Sequence, residues 1–228
     1  MTGKLYIIAT PIGNLEDITL RALRTLKEDT DIVYCEDTRQ TGKLLQHYGI
    51  SLPAQSLHAH SAKTKFEYII SQLLSGKNIA YCTDSGTPAI SDPGGELVAL
   101  ARHNNIPVIP IPGASAVTAL VSVCGFPSSS FYFAGFLSKK QGKRKKQLQQ
   151  LAQLQAIVIV YESPYRIVKL LYDIAEIMPQ AAILIGREMT KHFEEFIYCT
   201  AAEVESIIPA LHQKGEFVIA LYNEASKN

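Results

Sequence analysis

Short apolar runs, each followed by a turn and then an amphipathic stretch, recur along the chain. Residues 5–9 are apolar without alternation and predict a strand buried on both faces. Residues 17–27 predict a helix with Leu20, Leu23 and Leu26 on one face. Residues 31–35 predict the next strand, and residues 42–48 a helix closed by Gly49. A helix over 66–74, a strand over 78–82, a helix over 96–103 and a proline-flanked strand over 107–111 follow. A small-residue helix over 114–123 then ends at Gly125. The turn-rich stretch 125–130 predicts a domain boundary. Beyond it the pattern gives a strand over 131–136, a helix reaching about residue 154, a strand over 156–161 and a helix over 167–177. Strands over 181–185 and 193–199, a helix over 202–212 and a strand over 217–222 complete the chain. The expected class is α/β, in two domains: 1–124 with a largely parallel sheet, and 125–228 with a mixed one.

A chain of 228 residues that is 47% hydrophobic and 19% charged can bury a core and is not disordered by composition. The formal net charge is only +1, which announces no nucleic-acid or membrane partner. The balance hides an asymmetry. Lys139, Lys140, Lys143, Arg144, Lys145 and Lys146 fall within eight positions, and the remaining chain carries 16 basic against 21 acidic residues. The four cysteines, Cys35, Cys82, Cys124 and Cys199, form no C-x-x-C pair, and Cys35, Cys82 and Cys199 close apolar runs as small hydrophobes. His58 and His60 have no third ligand nearby, so no metal site is expected. No apolar run reaches transmembrane length, and residues 1–6 lack the charged-then-apolar pattern of a signal peptide. A reducing, cytoplasmic location is the expectation.

In parallel α/β sheets, ligands gather where strands end. Four polar or Gly/Pro-rich loops fall at such ends: Thr10-Pro11-Ile12-Gly13-Asn14, Glu36-Asp37-Thr38-Arg39, the stretch 84–95, and Pro112-Gly113-Ala114-Ser115-Ala116. Each alone reads as an ordinary turn. Together they predict a ligand crevice. None is a G-x-x-x-x-G-K-[ST] loop or a G-x-G-x-x-G turn, which disfavours nucleoside triphosphates and dinucleotides.

The run from Thr10 through Asn14 and on to Ala22 resembles the amino-terminal motif of bacterial small-subunit ribosomal RNA (cytidine-2′-O)-methyltransferases, a branch of the tetrapyrrole methylase superfamily. The resemblance continues in Glu36-Asp37-Thr38-Arg39, Asp84 to Gly94, Gly135-Phe136-Leu137, Tyr161-Glu162-Ser163-Pro164 and Gly186-Arg187-Glu188-Met189-Thr190-Lys191. Ser61, Ser85, Tyr165 and Met189 depart from the family's usual Asn, Ala, His and Leu. The resemblance implies two α/β domains of the tetrapyrrole methylase type with the active site in the cleft between them, and a homodimer. It implies methyl transfer from S-adenosylmethionine to a cytidine ribose 2′-hydroxyl of small-subunit RNA, met naked or in an assembled 30S particle. It also implies cofactor contacts at Ala9, Pro11, Asp84, Gly86, Thr87, Ser115, Ala116 and Tyr161.

A ribose hydroxyl is a weak nucleophile, so a general base assists its methylation. Glu36, Asp37, Glu162 and Glu188 are the candidates. Glu162 and Glu188 could equally be partners of Arg166, Arg187 or Lys191, and Glu36-Asp37 could form a loop-stabilising pair with Arg39. The basic segment at 139–146 carries no interleaved acids, which is the footprint of a phosphate backbone rather than of a merely solvated helix. Arg39, Arg166, Arg187 and Lys191 join it as candidate RNA contacts. Most of Phe131, Tyr132, Phe133 and Phe136 are expected in the core. The alternatives are a tetrapyrrole C-methyltransferase of the same fold and, further off, a non-catalytic RNA-binding protein.

Overall fold

The computed structural model describes residues 1–58, 61–90 and 92–223; His60, and Ser91 within the loop 84–95, lie outside these. The chain forms two compact units, Met1–Ser115 and Ala116–Asn228.

The first unit is built on five strands: β1 (Leu5–Ile8), β2 (Ile32–Cys35), β3 (Ala54–Ser56), β4 (Ile79–Cys82) and β5 (Val108–Ile111). They pair in the order β3-β2-β4-β1-β5, every pair parallel. The strands alternate their apolar side chains between two cores. Leu5, Tyr34, Ile79 and Tyr81 face α3 (Lys63–Leu74) and α4 (Gly94–His103), packing on Phe66, Ile69, Leu73 and Leu97. Tyr6, Ile8, Val33, Cys35 and Cys82 face α1 (Leu20–Arg24) and α2 (Thr38–His47), packing on Ala22, Leu26, Leu44 and Leu45. Burial on both faces explains why these strands read as unbroken apolar runs.

The expected helix over 17–27 is instead three short pieces. A 3-10 turn at Leu15–Asp17 precedes α1, and a π turn at Thr25–Asp29 follows it. The Thr19 hydroxyl accepts a hydrogen bond from the Ala22 amide at 3.1 Å and starts a new helix there. Leu20 is consequently 85% exposed, not on the buried face, which Ala22 and Leu26 supply. The helix α2 begins earlier than expected because the Asp37 carboxylate accepts from the Arg39 amide at 2.9 Å. The three-residue edge strand β3 was not foreseen; its length is too short for a periodic signal.

The second unit has a five-stranded mixed sheet: β6 (Phe131–Phe136), β7 (Ile157–Glu162), β8 (Ala181–Arg187), β9 (Glu195–Thr200) and β10 (Phe217–Asn223), in the order β6-β7-β10-β8-β9. Only β6 and β7 run parallel; the other three pairs are antiparallel. Its largest core cluster lies on one face. Val158, Val160, Ile183, Ile185, Phe217 and Ile219 pack with α6 (Gln141–Leu151), α7 (Ile167–Ile177) and the segment around Val204. On the sheet's other face, α5 (Ala116–Cys124) rests close against the backbone: a Cβ on Gly186 would stand 2.9 Å from Leu120 Cδ1 and 2.8 Å from Met189 Sδ. The helix expected over 202–212 breaks into a short α piece, Val204–Ile207, flanked by 3-10 turns at Ala201–Glu203 and Ile208–Ala210, with Pro209 in the last lacking an amide to continue it. Phe131, Tyr132 and Phe136 are about half exposed, contrary to the core role expected of them, because β6 is an edge strand.

Candidate functional site

In the first unit, the connections after β1 and β2 lie over one face of the sheet and those after β3 and β4 over the other. The winding therefore switches between neighbours β1 and β4, where an open α/β sheet forms its crevice. The loops after these two strands are tied together. Thr10 and Gly86 exchange backbone hydrogen bonds of 2.9 and 3.1 Å, and the buried Thr10 hydroxyl donates to the Thr83 carbonyl at 3.1 Å. Thr83 donates its own hydroxyl to the Glu36 carboxylate. Asp84 Oδ1 accepts the Asp37 amide at 2.9 Å, which joins the loop after β2 to the same rim. The Thr87 hydroxyl donates to the Ala114 carbonyl at 3.1 Å and brings in the loop after β5.

The structure thus joins Ala9, Pro11, Glu36, Asp37, Asp84, Gly86 and Thr87, with the loop that leads to Ser115, along one rim. Its floor is backbone. Gly86 sits at φ +82°, and a Cβ there would stand 3.2 Å from Ile12 Cγ2; a Cβ on Gly113 would stand 3.1 Å from that of Ala9. Side chains at these points would fill the cradle. Asp84 is exposed, and Glu36 has no cation within ion-pair reach among the described residues. Acceptors without a phosphate loop suit a ligand that carries positive charge and hydroxyl or amine donors. Asp37 differs: hydrogen bonds from the Arg39 side chain, then from its amide, hold its carboxyl down to about 2. The rim also has a residue the sequence reasoning passed over. Tyr81 is fully buried, and burial, then the nearby Asp92 and Glu36 carboxylates, push its pKa up. Tyr81 carried no signal, because its neighbours make it read as one more strand apolar.

In the second unit the candidate acids are enclosed. Glu162 is buried, accepting from Arg166 Nη2 at 2.7 Å and from the Ser163 amide at 2.7 Å. Glu188 accepts from Lys191 Nζ and from the Glu216 amide, each at 2.9 Å. Burial pushes the Glu188 carboxyl up, but the Lys191 and Glu216 hydrogen bonds outweigh it and leave the carboxyl below its usual value. Arg187 is held by Glu195 at 2.8 Å and donates to the Lys214 carbonyl at 3.0 Å. Both pairings that the sequence offered as the alternative to a base, Glu162 with Arg166 and Glu188 with Lys191, are present. Tyr161 packs between Phe133 and Phe136, with ring centroids at 4.8 and 5.6 Å.

The basic segment divides. Lys139, Lys140, Lys143 and Lys146 are exposed. Arg144 is not available to a phosphate: it is 3% exposed and its Nε lies 2.6 Å from Asp173, itself 2% exposed. Lys145 is held at 2.5 Å by Glu176. Arg144 therefore anchors α6 onto α7, and the electropositive face consists of the four exposed lysines. Among the described residues no cluster of His, Cys, Asp and Glu could hold a metal ion, and no helix is long and apolar enough to cross a membrane. All four cysteines are free and buried.

Two consecutive α/β units, the first with an acceptor-lined, glycine-floored rim, suit a methylase-type scaffold, and comparison with known proteins makes the assignment specific. The family described as Tetrapyrrole (Corrin/Porphyrin) Methylases matches residues 4–205. A Leptospira biflexa protein named Ribosomal RNA small subunit methyltransferase I is 43% identical over 96% of this chain and 90% of its own length. A protein of the same name from Halalkalibacterium halodurans is 44% identical over 99% of this chain and 78% of its own. The fold is shared with uroporphyrin-III C-methyl transferase from Thermus thermophilus, solved in complex with S-adenyl homocysteine, at TM-score 0.64 and 19% identity, covering 96% of this chain and 97% of that one. The chain belongs to the tetrapyrrole methylase family, in the branch whose curated members bear the name Ribosomal RNA small subunit methyltransferase I.

Proposed function

We propose that the chain is an S-adenosylmethionine-dependent methyltransferase acting on the 2′-hydroxyl of a cytidine ribose in small-subunit ribosomal RNA. The carrying observation is the 43% identity, over 96% of the chain, to a protein named for small-subunit ribosomal RNA methylation. The rim of the first unit supports it, because its donor set fits the cofactor. S-adenosylmethionine, when bound, supplies a methyl group on a sulfonium cation. Asp84 offers a carboxylate to its cationic or hydroxyl groups. Ala9, Pro11, Gly86 and Thr87 offer a close backbone approach, and Ser115, Ala116 and Tyr161 are the further contacts. The residues would hold donor and acceptor in line, which is a large share of catalysis for a displacement.

Glu36 is the base in this reading. Of the four candidates it is the one with neither a cationic partner nor full burial. Asp37, held anionic by Arg39, is too weakly basic to take a proton from a sugar hydroxyl. The RNA face is the lysine set Lys139, Lys140, Lys143 and Lys146, with Arg39 exposed near the rim. The partner is small-subunit RNA, alone or in the 30S particle; the enzyme acts in the cytoplasm, and the chain is read as a homodimer. The test is transfer of a labelled methyl group to small-subunit RNA and to 30S particles, followed by ribose-level mapping. Label on one cytidine 2′-oxygen supports the reading. Label accepted only by a porphyrinoid would favour carbon methylation, which the shared fold makes the second reading.

A further inference from the structure

Beyond the cofactor rim and beside the lysines already assigned to RNA, the second unit carries an exposed ring, Tyr165, that neither its core nor the proposed chemistry uses. Strands β6 and β7 are parallel, so both carboxyl ends fall on one edge of the sheet. The segment after β6 presents Ser138, Lys139 and Lys140, and the turn after β7 presents Ser163, Pro164, Tyr165 and Arg166. These two segments are fastened to each other. Arg166 Nη2 donates to the Leu137 carbonyl at 2.8 Å while also holding Glu162 at 2.7 Å. The turn is closed further by the Ser163 amide on Glu162, and by the Arg166 amide on the Ser163 carbonyl at 3.0 Å. On the other side, Arg144, itself fixed by Asp173, reaches the Ser138 and Lys139 carbonyls at 3.4 and 3.5 Å.

At the tip of this clamped turn Tyr165 is 91% exposed, and Phe136, at the end of the adjoining strand, is 58% exposed. A large aromatic held out in water on a rigid support contributes nothing to folding. The neighbouring lysines are also poorly placed for stability, since Lys140 sits at the amino-terminal end of α6 without a side-chain cap hydrogen bond and no acid lies in that helix's first turn. Rigid exposed aromatics beside cations are the elements that grip single-stranded nucleic acid: rings stack on unpaired bases, and ammonium groups take the phosphates.

Resting on the RNA reading above, we infer that Tyr165 is a base-stacking platform that receives an unpaired nucleotide of the substrate, its phosphates held by Lys139 and Lys140. The Arg166 clamp to Leu137 sets the spacing between platform and lysines. The assignment makes Tyr165 a substrate-binding residue, and the ring rather than the hydroxyl is what it contributes.

The experiment uses the full chain and a single-stranded RNA oligonucleotide containing 2-aminopurine, with inorganic polyphosphate as a base-free competitor. Tyr165→Ala should weaken RNA binding about 10-fold and abolish part of the 2-aminopurine quenching, as loss of one stack does. Its polyphosphate affinity and its salt slope should stay as in the wild type. Tyr165→Phe should bind RNA within about 2-fold of wild type, since stacking needs only the ring. Lys139→Ala/Lys140→Ala should weaken both anions and flatten the RNA salt slope by about 1.4. Wild-type RNA affinity and quenching in Tyr165→Ala would overturn the inference while leaving the RNA reading intact, as would an equal loss in Tyr165→Phe. A wild-type chain that binds and methylates no RNA would bring down both.

Discussion

The two units treat most of the acids at their strand ends differently, Asp37 with its Arg39 partner being the exception. In the first, Glu36 and Asp84 meet a hydroxyl and an amide, and no cation stands within ion-pair distance of either among the described residues. In the second, Glu162 meets Arg166 and Glu188 meets Lys191, so each acid spends its charge on holding its own loop. The strand-end carboxylates without an ion-pair partner, Glu36 and Asp84, therefore lie in the first unit.

Breaking the buried pair should give the largest effect. Arg144→Met strands Asp173 in the core and is expected to cost about 3–5 kcal/mol in chemical denaturation. The double variant Arg144→Met/Asp173→Leu should recover most of that loss. If Arg144→Met instead leaves stability untouched and weakens RNA binding, the arginine belongs to the RNA face after all.

Next in size is a catalytic contrast. Glu36→Gln should lower kcat by roughly 10²- to 10⁴-fold, the range for removing a general base. Its S-adenosylmethionine affinity and unfolding curve should be retained. Glu188→Gln should change kcat far less and lower the melting temperature instead. Reversal of the two outcomes would transfer the base to the second unit.

How much of this contrast was legible in the sequence follows the same division. The first unit's strands announced themselves because burial on both faces leaves unbroken apolar runs, as in residues 79–82. The rim loops announced themselves by glycine, proline and acid following each run. The role of each acid did not, because Glu36 and Glu162 are both acids closing a strand, and only the fold decides that an arginine four residues on turns back onto Glu162. Arg144 is the sharpest instance. Within a run of lysines it reads as one more surface cation, and its partner Asp173 is remote in the chain, on a different helix. Leu20 misled in the other direction, since the Thr19 cap resets the helical phase.

The smallest effects are those of pH and surface charge. Glu188 lies below its ordinary value, so its stabilisation is complete above that value and fades as pH falls through the native one. For Lys191, burial lowers the pKa, but Glu188 and Glu216 raise it further, leaving a net increase. Its contribution is complete below the ordinary lysine value and fades as pH rises through the raised one. Melting temperature followed against pH should fall at both ends, and Glu188→Gln should remove the acid limb of that loop's contribution. Lys143→Ala/Lys146→Ala should reduce the salt slope of RNA binding by roughly 1.4 without changing cofactor affinity.

The rim of the first unit is the central claim, and calorimetric titration of S-adenosylmethionine into wild-type chain and Asp84→Ala tests it most directly. The account predicts a clear wild-type heat and at least about a 10-fold loss in the variant, the scale of one charge-assisted contact. Equal affinity in the two proteins would contradict it.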